Sequence, residues 1–256
     1  MDSIYALTSA LKGQQRQMEA VSNNLANAQT PGYKKDTVLF KELFNEYSTQ
    51  DLESDQEQFV HENYISPLSR GNVSFVAPDH VSPRMTTGKM TPSDNPFDLS
   101  LQGEGFFVVQ SDKGLVYTRN GRFMKDKDNF LITNSGDKVL GQNGPIKING
   151  ANFAVGSEGN VLVDNKKVDT LQVVKFEQPD RLTKLGNSYW LPGSDAQVPN
   201  SFDGAVVQQG VYEGSNVETV EEMVEMINLN RSYEAAQRAL RSNDDLSGQV
   251  INIARV

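Results

Sequence analysis

Histidines, paired carboxylates and glycine-rich turns are the residues on which catalysis or ligand binding would draw in this chain. The two histidines, His61 and His80, stand 19 residues apart. A metal site needs several ligands at close spacing, such as a His pair one helical turn apart, and neither histidine has such a partner. Cysteine is absent, which removes thiolate metal sites, iron–sulfur clusters, disulfides and Cys nucleophiles. Asp94 and Asp98 flank Pro96-Phe97 and would suit an acid–base pair. Asx side chains beside proline more often bond their own backbone and shape turns, and that reading outweighs the catalytic one. Gly103-Glu104-Gly105 lacks the third glycine and the following helix of a dinucleotide fingerprint, so it reads as a turn before a strand. No Gly-x-Ser-x-Gly, P-loop or EF-hand pattern occurs. The sequence therefore offers no catalytic constellation, no metal set, no cofactor site and no small-molecule substrate.

Composition narrows the partners. The chain has 256 residues, 37% hydrophobic and 22% charged, with 22 Asn and 17 Gln adding to its polarity. Net charge is -9 and the pI about 4.8, which argues against nucleic acid, where a basic face must neutralise phosphates, and against anionic lipid surfaces. There is no run of 18 apolar residues to span a membrane. Met1-Asp2-Ser3-Ile4 lacks the basic start and apolar stretch of a cleaved signal peptide.

The elements that must position any functional residue read as helix, β-rich middle, helix. Ile4, Leu7, Leu11, Met18, Val21 and Leu25 repeat at heptad spacing, with Gln14 at the skipped position. Residues 3–28 thus predict a helix roughly 39 Å long. Pro31-Gly32 ends it, as the two central residues of a type II turn. Lys34 to Tyr47 resumes a helical or mixed pattern around Val38, Leu39, Leu43 and Phe44, closing a segment of residues 1–45. Residues 46–66 hold six acidic side chains and no Lys or Arg, so 46–71 reads as a solvated connector. Short strands separated by turns fill 72–212, at 105–110, 115–118, 122–125, 130–133, 138–140, 145–149, 160–164, 168–176, 188–191 and 205–211. Asn120-Gly121 is the strongest hairpin dipeptide among them. The middle is predicted as an antiparallel β domain, a sandwich or barrel-like roll. Ser215 to Glu218 matches a capping box opening a helix over the last segment, 213–256. Val217, Val220, Val224 and Ile227 begin its apolar stripe, which widens through Met223, Met226, Leu229, Tyr233, Ala236 and Leu240 and resumes at Leu246, Val250 and Ile253.

Three segments stand out together. The first is Ser22-Asn23-Asn24-Leu25-Ala26-Asn27-Ala28-Gln29-Thr30-Pro31-Gly32-Tyr33-Lys34. The second contains Phe97-Asp98-Leu99, Gly103-Glu104-Gly105-Phe106-Phe107 and Tyr117-Thr118-Arg119-Asn120-Gly121-Arg122-Phe123. The third runs from Glu213-Gly214-Ser215-Asn216-Val217 to Arg231-Ser232-Tyr233-Glu234. In this order they resemble the bacterial flagellar rod and hook family of axial proteins. The length fits the rod rather than the hook, and Val139 to Ile146 and Glu213 to Val217 look most like the proximal-rod member, with the distal-rod member a close second.

The resemblance implies a structural subunit of the basal-body rod, a drive shaft carrying torque from motor to hook. It implies terminal helices paired as a coiled coil, partners among copies of itself and other rod subunits, and a location in the periplasmic rod. It also implies passage through the flagellar type III export apparatus, in keeping with the missing signal peptide. Phe40 and Phe44 fit an export signal of Phe with an apolar residue four positions on, although such i,i+4 pairs also serve plain packing. The residues give independent support: 1–30 hold only Asp2, Lys12, Arg16 and Glu19 as charges, with amides opposite the stripe. Uncharged amides are buried at modest cost when they find partners. The bland alternatives are a helical hairpin packed on the monomer's own β domain, or a non-flagellar binding module dimerised by its coiled coil.

Overall fold

In the computed structural model the described residues are 2–44, 74–186, 188–193, 200–201 and 204–253. The acidic connector lies outside them. Two terminal helices flank a central antiparallel β domain. Helix α1 spans Asp2–Ala26 and helix α2 spans Thr219–Ile253. The chain divides into two compact units. One comprises Met1–Val21, Val38–Val81 and Val224–Val256; the other comprises Ser22–Thr37 and Ser82–Met223.

Asp36–Phe44 and Ser74–Pro83, most of whose residues belong to the first unit, form a two-stranded sheet. For residues 36–44 this decides the helical-or-mixed reading of the segment in favour of the extended chain. Thr37 and Val38 are β-branched and favour the extended chain. Residues four apart share a face in a strand as they do in a helix, so the Phe40/Phe44 spacing could not separate the two. Phe40 stands 41% exposed. Its ring edge lies where a Cβ on Gly13 of α1 would come within 3.1 Å, so the glycine makes room for the aromatic.

The second unit holds the β domain. Its largest sheet runs in the order Thr183–Gly186, Tyr189–Leu191, Gly114–Thr118, Phe106–Ser111, Lys138–Gly141, Leu131–Thr133, Phe123–Lys125. The sequence reading covers most of these strands but not Thr183–Gly186, and elsewhere in the domain it omits Met90–Pro92, Leu99–Gln102 and Phe153–Val155, each too short to carry a clear period. Phe106–Ser111 is central: it pairs with Gly114–Thr118 on one side and with Lys138–Gly141 and Val173–Lys175 on the other. Its unbroken run Phe106-Phe107-Val108-Val109 is buried on both faces, as expected of an apolar strand with no polar alternation. Phe107 faces a core with Leu99, Phe123, Leu131, Val161 and Val207. Phe106 and Val108 face a second core with Tyr117, Phe176, Leu182 and Trp190. Edge-on ring pairs order both: Phe107–Phe123 at 5.2 Å and Tyr117–Phe176 at 4.9 Å.

Asn120-Gly121 does not close a hairpin. The strands on either side of it are not neighbours in the sheet. Leu99 N donates to Gly121 O at 2.9 Å, and a Cβ on Gly121 would sit 1.6 Å from Leu99 O. The glycine is needed for that close approach rather than for a turn. Asp98 shapes a turn, accepting from Ser93 Oγ at 2.6 Å and Asn95 Nδ2 at 3.1 Å. The capping box is also corrected: α2 starts at Thr219, and Ser215 Oγ instead accepts from Val217 N at 3.2 Å.

Candidate functional site

The roots of both helices meet the β domain in one buried polar junction. Helix α1 ends where Thr30 N donates to Asn27 O at 3.0 Å, and Asn27 Nδ2 closes back on Asn23 O at 2.9 Å. Thr30-Pro31-Gly32-Tyr33 then turns, Tyr33 N donating to Thr30 O at 3.3 Å. Gly32 has φ +68°, the left-handed value the second central position of a type II turn demands. A Cβ there would also lie 2.3 Å from Asn120 N. The segment after the turn is laid into the β domain: Gly32 N donates to Glu213 O at 2.8 Å, and Arg84 N donates to Lys35 O at 2.8 Å.

Three charges are buried on its inner side. Lys34 Nζ meets Glu213 Oε1 at 2.5 Å and donates to Thr86 O at 2.9 Å. Glu213 Oε1 also accepts from Gly88 N at 2.9 Å, and its Oε2 faces Arg119 at 3.4 Å. Arg119 donates to Gly103 O at 2.6 Å and lies over the Phe106 ring at 5.5 Å. Side-chain exposures are 1% for Lys34, 0% for Glu213 and 6% for Arg119. Two cations thus share one carboxylate, and the carbonyls of Thr86 and Gly103 offset the excess. Burial pushes the Lys34 ammonium and the Arg119 guanidinium below their usual values, and Glu213 opposes both shifts.

Asn24 organises the second half. Its Oδ1 accepts from Asp36 N at 2.8 Å and Tyr33 OH at 3.2 Å. Its Nδ2 donates to Asp36 O at 2.9 Å and Glu222 Oε2 at 3.2 Å. Lys35 pairs with Glu222. Lys184 Nζ meets Asp36 Oδ1 at 2.7 Å, donates to Lys34 O at 2.6 Å, and lies 3.9 Å from the Tyr33 ring centroid. Burial, with Asp36 beside it, pushes the Tyr33 phenol well above its usual value. Asn216 clamps the outer side, accepting from Lys35 N at 2.7 Å and donating to Arg84 O at 2.8 Å. These groups are bonded to one another. The arrangement suits holding these chain segments together.

The junction joins the three sequence segments singled out by resemblance: Asn24 to Lys34, Thr118 to Gly121, and Glu213 to Val217. Other sequence-derived positions fall differently. Along α1, Leu7, Leu11, Met18 and Leu25 are half-buried and Val21 is buried; Ile4 carries no described side chain. Just before α2, Val217 is buried; along α2, Tyr233 and Leu240 are half-buried, whereas Val220, Val224 and Ile227 are exposed. The line turned inward there is Glu222, Met226, Leu229, Tyr233, Ala236 and Leu240. At 3.6 residues per turn, the exposed apolar line lies nearly opposite. Phe44 carries no described side chain, and Phe40 does not join the junction. Sequence reasoning missed Asp36, Lys184 and the burial of Glu222. Lys34 and Glu213 carried a signal, as charged residues inside otherwise apolar or small-residue motifs.

Comparison with known proteins places these segments. Residues 4–34 match the family described as flagella basal body rod protein, and residues 100–163 match the flagellar hook protein FlgE/F/G D1 domain. Residues 208–253 match the flagellar basal body rod FlgEFG protein C-terminal family. The chain is 30% identical over 256 residues to the flagellar basal-body rod protein FlgG of Buchnera aphidicola subsp. Acyrthosiphon pisum, covering 95% of this chain and 96% of the relative. The chain belongs to the flagellar basal-body rod protein family. Rod-protein relatives of both names align along nearly the whole length. FlgG of Bacillus subtilis is 26% identical, over 99% of each chain. FlgF of Mesorhizobium japonicum is 25% identical, over 98% of this chain and 96% of its own. As a member of a family of structural rod proteins, the chain is a structural subunit of the flagellar basal body. Among the described residues, no helix of this rod protein is long and apolar enough to cross a membrane.

Proposed function

We propose that this rod subunit polymerises through its terminal helices into the shaft that carries torque from motor to hook. The observation that supports this reading is the apolar line on α2 that begins just past the junction. Val220, Met223, Val224 and Ile227 are 70%, 45%, 53% and 52% exposed. Successive exposed apolar side chains along one helix face mark an interaction surface, and the junction behind them holds the helix root. Copies of this chain and other rod subunits are the partners. Pairing of the α1 and α2 seams as a coiled coil, in the assembled state, belongs to the same proposal. So do export through the type III apparatus, with Phe40 and Phe44 as candidate signal, and a proximal place in the periplasmic rod with the distal place as alternative.

Val224→Asp tests it. The side chain is exposed in the free subunit, so folding stability should move by no more than about 0.5 kcal/mol. In a closed interface the unpaired carboxylate costs several kcal/mol, so the variant should be exported yet missing from isolated basal bodies. Normal incorporation would refute assembly through this face.

A further inference from the structure

The junction is built from groups contributed by distant parts of the chain, and neither helix root is satisfied without the other. Asn24 on the last turn of α1 gives half of its amide to Glu222 in the first turn of α2. Lys34 has Glu213 as its carboxylate partner. In the other direction, Asn216 N, at the entry to α2, donates to Tyr33 O at 3.4 Å, and Lys35 pairs with Glu222. Removing either segment leaves buried charges and amides of the other unpaired, a state buried polar groups avoid. The β-domain cores contain none of these residues.

We propose that the two helix roots form one cooperative unit: residues 22–37 dock on the β domain only when residues 213–222 are docked, and the reverse. The first-emerging and last-emerging thirds of the chain are thereby coupled. A chain lacking its C-terminal root leaves the root of α1 undocked. The junction acts as a completion check that fixes both helices together, whether or not the helices go on to polymerise.

Coupling between two sites is reciprocal, and amide hydrogen exchange on the full-length chain reads both directions. Asn216→Ala removes a clamp on the C-terminal side without unpairing a buried charge. It should speed exchange of Asp36 N, whose acceptor is Asn24 and not Asn216, by about tenfold or more. Gly32→Ala perturbs the N-terminal side through the Cβ clash with Asn120. It should speed exchange of Glu222 N, bonded to Glu218 O, by a similar factor. The amides of Phe107 to Val109 are the control for the β core and should keep their protection in both variants. Should Gly32→Ala prove too disruptive, Asn24→Ala replaces it on the N-terminal side, read again at Glu222 N. Acceleration confined to the mutated side in both directions would overturn the coupling. So would loss of protection in the β core together with the junction, because the junction would then be no separate unit.

Discussion

Asn24 bonds through both ends of its amide, accepting from Tyr33 and Asp36 and donating to Asp36 and Glu222. Such saturation is what allows an amide to be buried without penalty. The charged side of the junction is balanced less evenly. Lys34→Met keeps the shape of the stem but leaves Glu213 with Arg119 and Gly88 N alone. Breaking a buried pair from one side is expensive. The variant should lose about 3 kcal/mol, at the lower end of the range because two partners remain, read from its urea midpoint. Tyr33 gives a pH test. Its folded pKa lies above the unfolded value of about 10. As pH rises past about 10 the unfolded chain sheds the proton first, so the folded state holds more protons and stability falls with pH. The stabilisation from this group is whole below about pH 10 and is lost as pH climbs toward the folded pKa. Tyr33→Phe lacks that titration. The lead of the parent over Tyr33→Phe should therefore be constant between about pH 7 and 9 and shrink above about 10, by up to about 1.4 kcal/mol per pH unit. An unchanged lead up to about pH 11 would mean that the phenol is not shielded as described.

Helix α2 carries apolar side chains on two faces. Leu229 is 9% exposed and Ile227 is 52% exposed, two residues apart on the same helix. Truncating Leu229 to Ala should cost about 2 kcal/mol, the low end for a buried leucine near a helix surface. Ile227→Ala should change stability by less than about 0.5 kcal/mol. Thermal melts followed by helical circular dichroism compare them directly; equal losses would place both side chains in the fold of the single subunit. The strand Asp36–Phe44 shows why an element resists local reading. Its apolar residues suit either period, and what decides is pairing with Ser74–Pro83, some 30 residues on.

For the molecule as a whole, the core clusters draw only on residues from the β domain. A fragment of residues 82–213 should therefore fold alone, with less stability than the parent because Arg119 and Glu213 lose Lys34. Trp190, the single tryptophan, is 1% exposed, 6.4 Å from Phe106 and 5.4 Å from the Lys184 ammonium. Its fluorescence and the far-ultraviolet dichroism should give coincident unfolding curves. Non-coincident curves, or no transition, would show that the core needs the segments held in the junction.

The sequence by itself determined the helix–β–helix order, most strands of the largest sheet and the turn at Pro31-Gly32. Those features rest on local periodicity and on backbone preferences that neighbouring residues carry with them. It also determined the family, because three motifs in fixed order identify it even where each alone is short. Only the tertiary structure decided that the motifs meet, that Lys34, Arg119 and Glu213 share one dry site, and that Asn120-Gly121 is a close-packed crossing rather than a hairpin. It also decided which face of α2 turns inward. Burial of a charge depends on partners up to 198 residues away, and no local pattern encodes them. A lysine destined for a buried pair and a lysine destined for water are the same letter until the chain has closed around one of them.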